Sequence, residues 1–150
     1  MQKIIINIFL FFLLSNCGYT PILMKNTQNF DIQIESVEGD KLINNFIVSQ
    51  LNRNKNDQSE NKFDISINTI YKKIINSKDA TGTTASYQLN ATTELNIKKK
   101  DIYQKIIITE KFIMDKNENA FNENSYERSI KQTFASSIVR KIISKLSLMK

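Results

Sequence analysis

The feature that most constrains this chain is an apolar or β-branched side chain at every second position, sustained over two long stretches. Phe63, Ile65, Ile67, Thr69 and Tyr71 fall on one side of an extended segment, with Asp64, Ser66 and Asn68 on the other. A period of two belongs to a strand with one buried face. Tyr87, Leu89, Ala91, Thr93, Leu95 and Ile97 repeat the pattern on a second segment. From Ile102 to Met114 a third segment is apolar on both sides, with Ile106, Ile108 and Phe112 against Ile107 and Ile113. That predicts a strand covered on both faces at one end, or touching a partner. Turn residues at Asn76–Gly82 and in "KKKD", Lys98–Asp101, separate the three. A shorter alternation, Phe30, Ile32 and Ile34 against Asp31, Gln33 and Glu35, supplies a strand ahead of them.

A sheet with one apolar face has to be covered, and two segments have the helical period to do it. After Gly39 and Asp40, the residues Leu42, Ile43, Phe46, Ile47 and Leu51 recur at spacings of three and four. Asn54–Asn61 is then a solvent loop. Near the end, Asn124 followed by Glu127 predicts a capped helix start, and Ile130, Phe134, Ile138 and Ile142 line one side of the helix. Arg128, Lys131, Arg140, Lys141 and Lys145 lie outside that stripe, the late ones suiting the negative end of the helix dipole. The order is βαβββα. The expected fold is α+β, a two-layer sandwich in which a four-stranded, mostly antiparallel sheet carries two helices on one face.

With 150 residues the chain is sized for a single core. It contains no histidine, no tryptophan and one cysteine. The absence of histidine removes the usual acid-base group near neutral pH and the commonest metal ligand. A single cysteine excludes an intrachain disulfide and a thiolate cluster. No Gly-rich phosphate loop or nucleophile elbow is present. The expectation is a protein that is not an enzyme and uses no cofactor or metal.

The N-terminus carries the strongest targeting signal. Lys3 precedes the run Ile4–Leu14, broken only by Asn7, which has the build of a secretory signal and is too short to span a bilayer. Leu14-Ser15-Asn16-Cys17 follows and resembles the bacterial lipobox, where cleavage precedes a cysteine that takes up a diacylglycerol. Alternatives are an ordinary thiol behind a simple signal peptide, or an uncut N-terminal anchor. A catalytic thiol lacks a base. Gly18 rather than Asp follows the cysteine, which by the lipoprotein sorting rule directs the chain to the outer membrane. Residues 1–16 are thus read as a lipoprotein signal peptide, 17–29 as a lipidated tether and 30–150 as the folded domain.

Net charge is +6, which suits an acidic partner without identifying it. Lys98, Lys99 and Lys100, with Lys72, Lys73 and Lys78, are read as a solvated hairpin tip in a lysine-rich chain; the alternative is a basic surface near one end of the sheet that binds phosphates. No nucleic-acid motif accompanies them, so nucleic acid is not an expected partner. Asp31, Glu35, Asp64 and Glu94 are read as the wet side of the strands rather than an acid-base pair. Thr83–Ser86 are β-formers and edge hydrogen-bonders, and Tyr87 and Tyr103 core residues whose hydroxyls reach the rim.

Together, "CGYTP" after the lipobox, "GTTASYQLNATTEL", "KKKDIYQK" and "ASSIVRKIISKL" resemble the LPS-assembly lipoprotein LptE family from Cys17 to about Leu146. The resemblance implies a two-layer α/β sandwich anchored to the periplasmic face of the outer membrane. It implies residence as a plug in an LptD-type β-barrel, help with the folding of that barrel, and binding of lipopolysaccharide. Cys17 is the lipidation site that carries over. Lys78, Lys98, Lys99 and Lys100 are assigned to lipopolysaccharide from local charge alone. The competing reading is an auxiliary lipoprotein of another periplasmic lipid-transport system, and a periplasmic hydrolase is the weakest.

Overall fold

The computed structural model describes residues 30–56 and 58–149. Cys17, the leader and the tether lie outside them. Strand β1 (Asp31–Gly39) is followed by helix α1 (Lys41–Arg53), which carries the chain back so that β2 (Lys62–Lys78) pairs with β1 in parallel. A parallel pair needs such a crossover. Short turns then make β3 (Thr84–Lys99) and β4 (Ile102–Asp115) successive antiparallel neighbours, in sheet order β1-β2-β3-β4. Helix α2 (Ala120–Leu148) closes the structure. The sheet is mixed, with one parallel and two antiparallel pairs, and both helices cover one face.

That face holds the alternating rows. Phe63, Ile65 and Ile67 of β2 and Leu89, Leu95 and Ile97 of β3 meet Ile43, Ile47 and Leu51 of α1 and Ile138, Ile142 and Leu146 of α2, all at most 1% exposed. Burial of side chains this size stabilises by about 1.5–3 kcal/mol each before the entropy of ordering them is counted. Thr69 and Thr93 occupy the same rows, wholly buried, and satisfy each other through a 2.9 Å hydroxyl contact.

The β1–α1 corner depends on Gly39. Its φ is +93°, and a Cβ there would collide with the carbonyl oxygen of Thr69, the oxygen that accepts the Asp40 N–H at 2.7 Å. Asp40 then caps α1, its carboxylate accepting the Ile43 N–H at 2.9 Å.

Three local readings are corrected. Helix α2 begins at Ala120, a turn before the expected start, because Asn119 rather than Asn124 accepts the N–H groups of Phe121 and Asn122. Strand β2 runs on to Lys78, with register shifts between Ile75, Ser77 and Lys78, so Asn76, Ser77 and Lys78 belong to the strand rather than to the expected turn. Asp31 is 7% exposed rather than wet.

Candidate functional site

The sheet face away from the helices is open, and it is built from the other half of each alternation. Asp64, Ser66 and Asn68 on β2 stand across from Lys98, Asn96 and Glu94 on β3, and these from Tyr103, Lys105 and Ile107 on β4. The rows are rich in hydroxyls, amides and charges. Lys105 reaches Glu94 at 2.8 Å, and its hydrogen bond is the main reason the Glu94 carboxyl lies below the usual glutamate range. Glu35 and Asp64 border the same stretch, in a hollow of about 380 Å³ that Tyr103 and Lys98 also line. Tyr103 is 73% exposed, not a core residue, and Lys98 Nζ lies 5.8 Å from its ring centroid. Further along, Ile70, Lys72, Asn90, Thr92 and Lys111 border a second hollow of about 400 Å³.

The covered side has its own polar cluster where β2 passes α2. Lys73 Nζ bonds Glu123 at 2.8 Å and Glu127 at 2.9 Å, and the Tyr71 hydroxyl donates to Glu127 at 2.8 Å. Burial and then the Glu127 carboxylate hold that phenol protonated well above its ordinary range. For Glu123 the bond from Lys73 outweighs burial and lowers the carboxyl pKa. Lys131 lies 3.8 Å above the Tyr71 ring and bonds Asp40 at 2.9 Å. Each carboxylate in this cluster already has a cation, so it ties α2 to the sheet.

The lysines do not form one basic surface. In the β2–β3 pairing Lys98 stands opposite Asp64 and Lys78 opposite Thr84, which puts Lys78 at the far end of the hairpin, about 45 Å away at ordinary strand rise. Lys73 is spent on Glu123 and Glu127, and Lys72 lies at the second hollow. Within the triplet, Lys99 points to the helix side. Its ammonium bonds the Met149 carbonyl at 2.9 Å beyond α2 and lies 5.1 Å from the Phe63 ring centroid. Lys98 faces the open side, and Lys100 takes the left-handed turn position, with φ of 53°. Pattern alone could not separate these lysines, since opposite ends of a long hairpin lie close in a lysine-rich sequence.

This architecture, a mixed four-stranded sheet with two helices on one face, is also that of a bacterial lipoprotein of known structure. Rare lipoprotein B from Shewanella oneidensis superposes with a TM-score of 0.55 over 79% of this chain and 99% of that one, at 16% identity. An uncharacterized lipoprotein B from Nitrosomonas europaea gives a TM-score of 0.48 over 81% and 87% of the two chains, also at 16% identity. No protein-family model and no curated protein matches the sequence. What the first superposition carries is the fold: this chain has the rare lipoprotein B fold over nearly the whole length of that protein.

Proposed function

We propose that the chain is a non-catalytic outer-membrane lipoprotein of lipopolysaccharide transport and assembly. It is fastened through an acylated Cys17 on the periplasmic side. It plugs an LptD-type β-barrel, helps that barrel fold and binds lipopolysaccharide. The observation that carries the reading is the fold shared with rare lipoprotein B. The lipobox-like Leu14–Cys17 and the LptE-like segments, read from sequence, lead to the same kind of protein. The open face adds a physical reason: a plug must offer hydrogen-bonding groups to a polar barrel lumen, and Ser66, Asn68, Asn90, Thr92 and Asn96 do so without disturbing the core beneath.

Affinity purification in gentle detergent tests the proposal. The expected result is a large β-barrel protein recovered with this chain, whose mass shows an N-terminus at Cys17 with added acyl groups. Recovery of an inner-membrane lipid transporter instead would favour the auxiliary-lipoprotein reading, and an unmodified thiol would remove the anchor.

A further inference from the structure

We infer that the end of the sheet at the β3–β4 turn is a membrane-contacting tip that rests on anionic phospholipid headgroups. The chain enters the fold at this end: Asp31 pairs with Lys62, and Asp64, two residues on, with Lys98. Twelve residues, Gly18 to Asn29, separate the lipobox cysteine from Phe30, a stretch that spans about 45 Å at most. A body held by Cys17 therefore keeps this end within about 45 Å of the bilayer, whereas the β2–β3 turn, about 45 Å further along the hairpin, reaches it only with the tether close to its full span.

The tip has the composition such contact requires. Lys62, Lys98, Lys100 and, from the last turn of α2, Lys145 surround it, against Asp101 in the turn, Asp64 across from Lys98 and the buried Asp31 across from Lys62. Among them stand Ile102, 63% exposed, and Leu148, 78% exposed. A recess of about 490 Å³ opens where the turn meets the end of α2, between Ile102 and Met149. Lysines beside exposed aliphatic side chains are the pairing by which peripheral proteins hold an anionic interface. The opposite end also exposes Phe121 and Tyr126, so apolar exposure alone does not choose between the ends. The tether's entry and the lysines do. The β2–β3 turn is instead closed on itself, Asp79 accepting the N–H groups of Thr81 and Thr83 at 2.9 Å.

The inference rests on the anchored reading for the protein's location, but its chemistry is separable. The chain has no tryptophan, so Ile102→Trp and Thr81→Trp are clean reporters of the two ends. The protein purified from membranes is mixed with vesicles of phosphatidylcholine, with or without phosphatidylglycerol, carrying brominated acyl chains. With phosphatidylglycerol, the Ile102→Trp emission should shift to the blue and be quenched several-fold more than that of Thr81→Trp. Lys98→Glu with Lys100→Glu should weaken binding roughly 25-fold, about five-fold per lysine, and raised salt should do the same. Equal quenching at both ends, or quenching at Thr81→Trp alone, would overturn the tip. So would a charge reversal that affects binding to lipopolysaccharide aggregates and leaves phosphatidylglycerol binding intact. Mass spectrometry of the same sample separates the two proposals. An unacylated chain that still shows the Ile102→Trp quenching keeps the tip and loses the anchor, and an acylated chain without it keeps the anchor and loses the tip.

Discussion

Ile65 and Ile70 stand five residues apart on β2 and face opposite ways. Ile65 is wholly buried under the helices, whereas Ile70 is 54% exposed beside Lys72 and Lys111. The same residue type is thus used once to hold the two layers together and once on a surface that no element of the described chain covers. The contrast runs the length of the sheet, with Leu95 and Ile97 against Glu94 and Asn96 on β3, and Ile108 against Ile107 on β4. One face stores the stability, and the other is left available for contact with something else.

The largest effect that bears on this contrast is a cavity on the covered face. Ile65→Ala should lower unfolding free energy by about 2–5 kcal/mol, since the site lies between two packed layers and cannot collapse fully. Urea denaturation measures it. A loss no greater than that of Ile70→Ala would mean that the helices do not pack on this face as described.

Next comes the buried threonine pair, where the covered face departs from pure hydrocarbon. Thr69→Val leaves the Thr93 hydroxyl buried without its partner, at a cost of about 1–3 kcal/mol. Changing both to Val should recover most of that loss, because two apolar groups of the same shape replace a satisfied pair. A double mutant no better than the sum of the singles would show that the hydroxyls have other partners.

How much of this was legible in sequence depended on whether a feature repeats along the chain. The rows Phe63–Tyr71 and Tyr87–Ile97, both helices, the βαβββα order and the α+β sandwich could be read directly, because burial imposes its period over many residues. Thr69 and Thr93 were placed in the right rows, but their mutual bond depends on register, which no single strand reveals. The start of α2 was misplaced because Asn124 and Glu127 have capping-box spacing, whereas Glu127 bonds Tyr71 and Lys73, and Asn119 does the capping. The lysines were hardest. Lys99 faces the helix layer and Lys98 the open side, an assignment set by strand parity, since β3 runs through Lys99 and only Lys100 and Asp101 of "KKKD" form the turn. Tyr103 was misread for the same reason, as it lies on the row where β4 turns its apolar groups outward.

A smaller effect concerns the polar seam between the layers. Burial raises the Asp40 carboxyl pKa, but the Ile43 N–H and Lys131 outweigh it, so the net shift is downward. A carboxyl whose folded pKa is depressed contributes stability that is present above the unfolded value, about 3.9, and is lost as pH falls through the folded one. Stability should therefore decline below about pH 4, with Glu123 contributing in the same direction. Asp40→Ala should cost about 1 kcal/mol at neutral pH and flatten part of the acid decline. Thermal melts from pH 3 to pH 7, run on both proteins, would check it. A parallel displacement of the two curves would show that Asp40 acts only through helix geometry.

The smallest expected change is also the sharpest test of the open face. Ile70→Thr keeps a β-branched side chain, so β2 loses no strand preference, and Ile70 is exposed, so little apolar area returns to water. Unfolding free energy should move by no more than about 0.5 kcal/mol. The same substitution places a hydroxyl among Lys72, Asn90 and Thr92, where a partner docking on this face would meet it. Unchanged stability with altered recovery of the proposed barrel partner would assign the row to that contact. A stability loss approaching that of Ile65→Ala would mean that Ile70 is already covered within the folded chain, and the division between a structural face and a contact face would fail at the strand on which it is clearest.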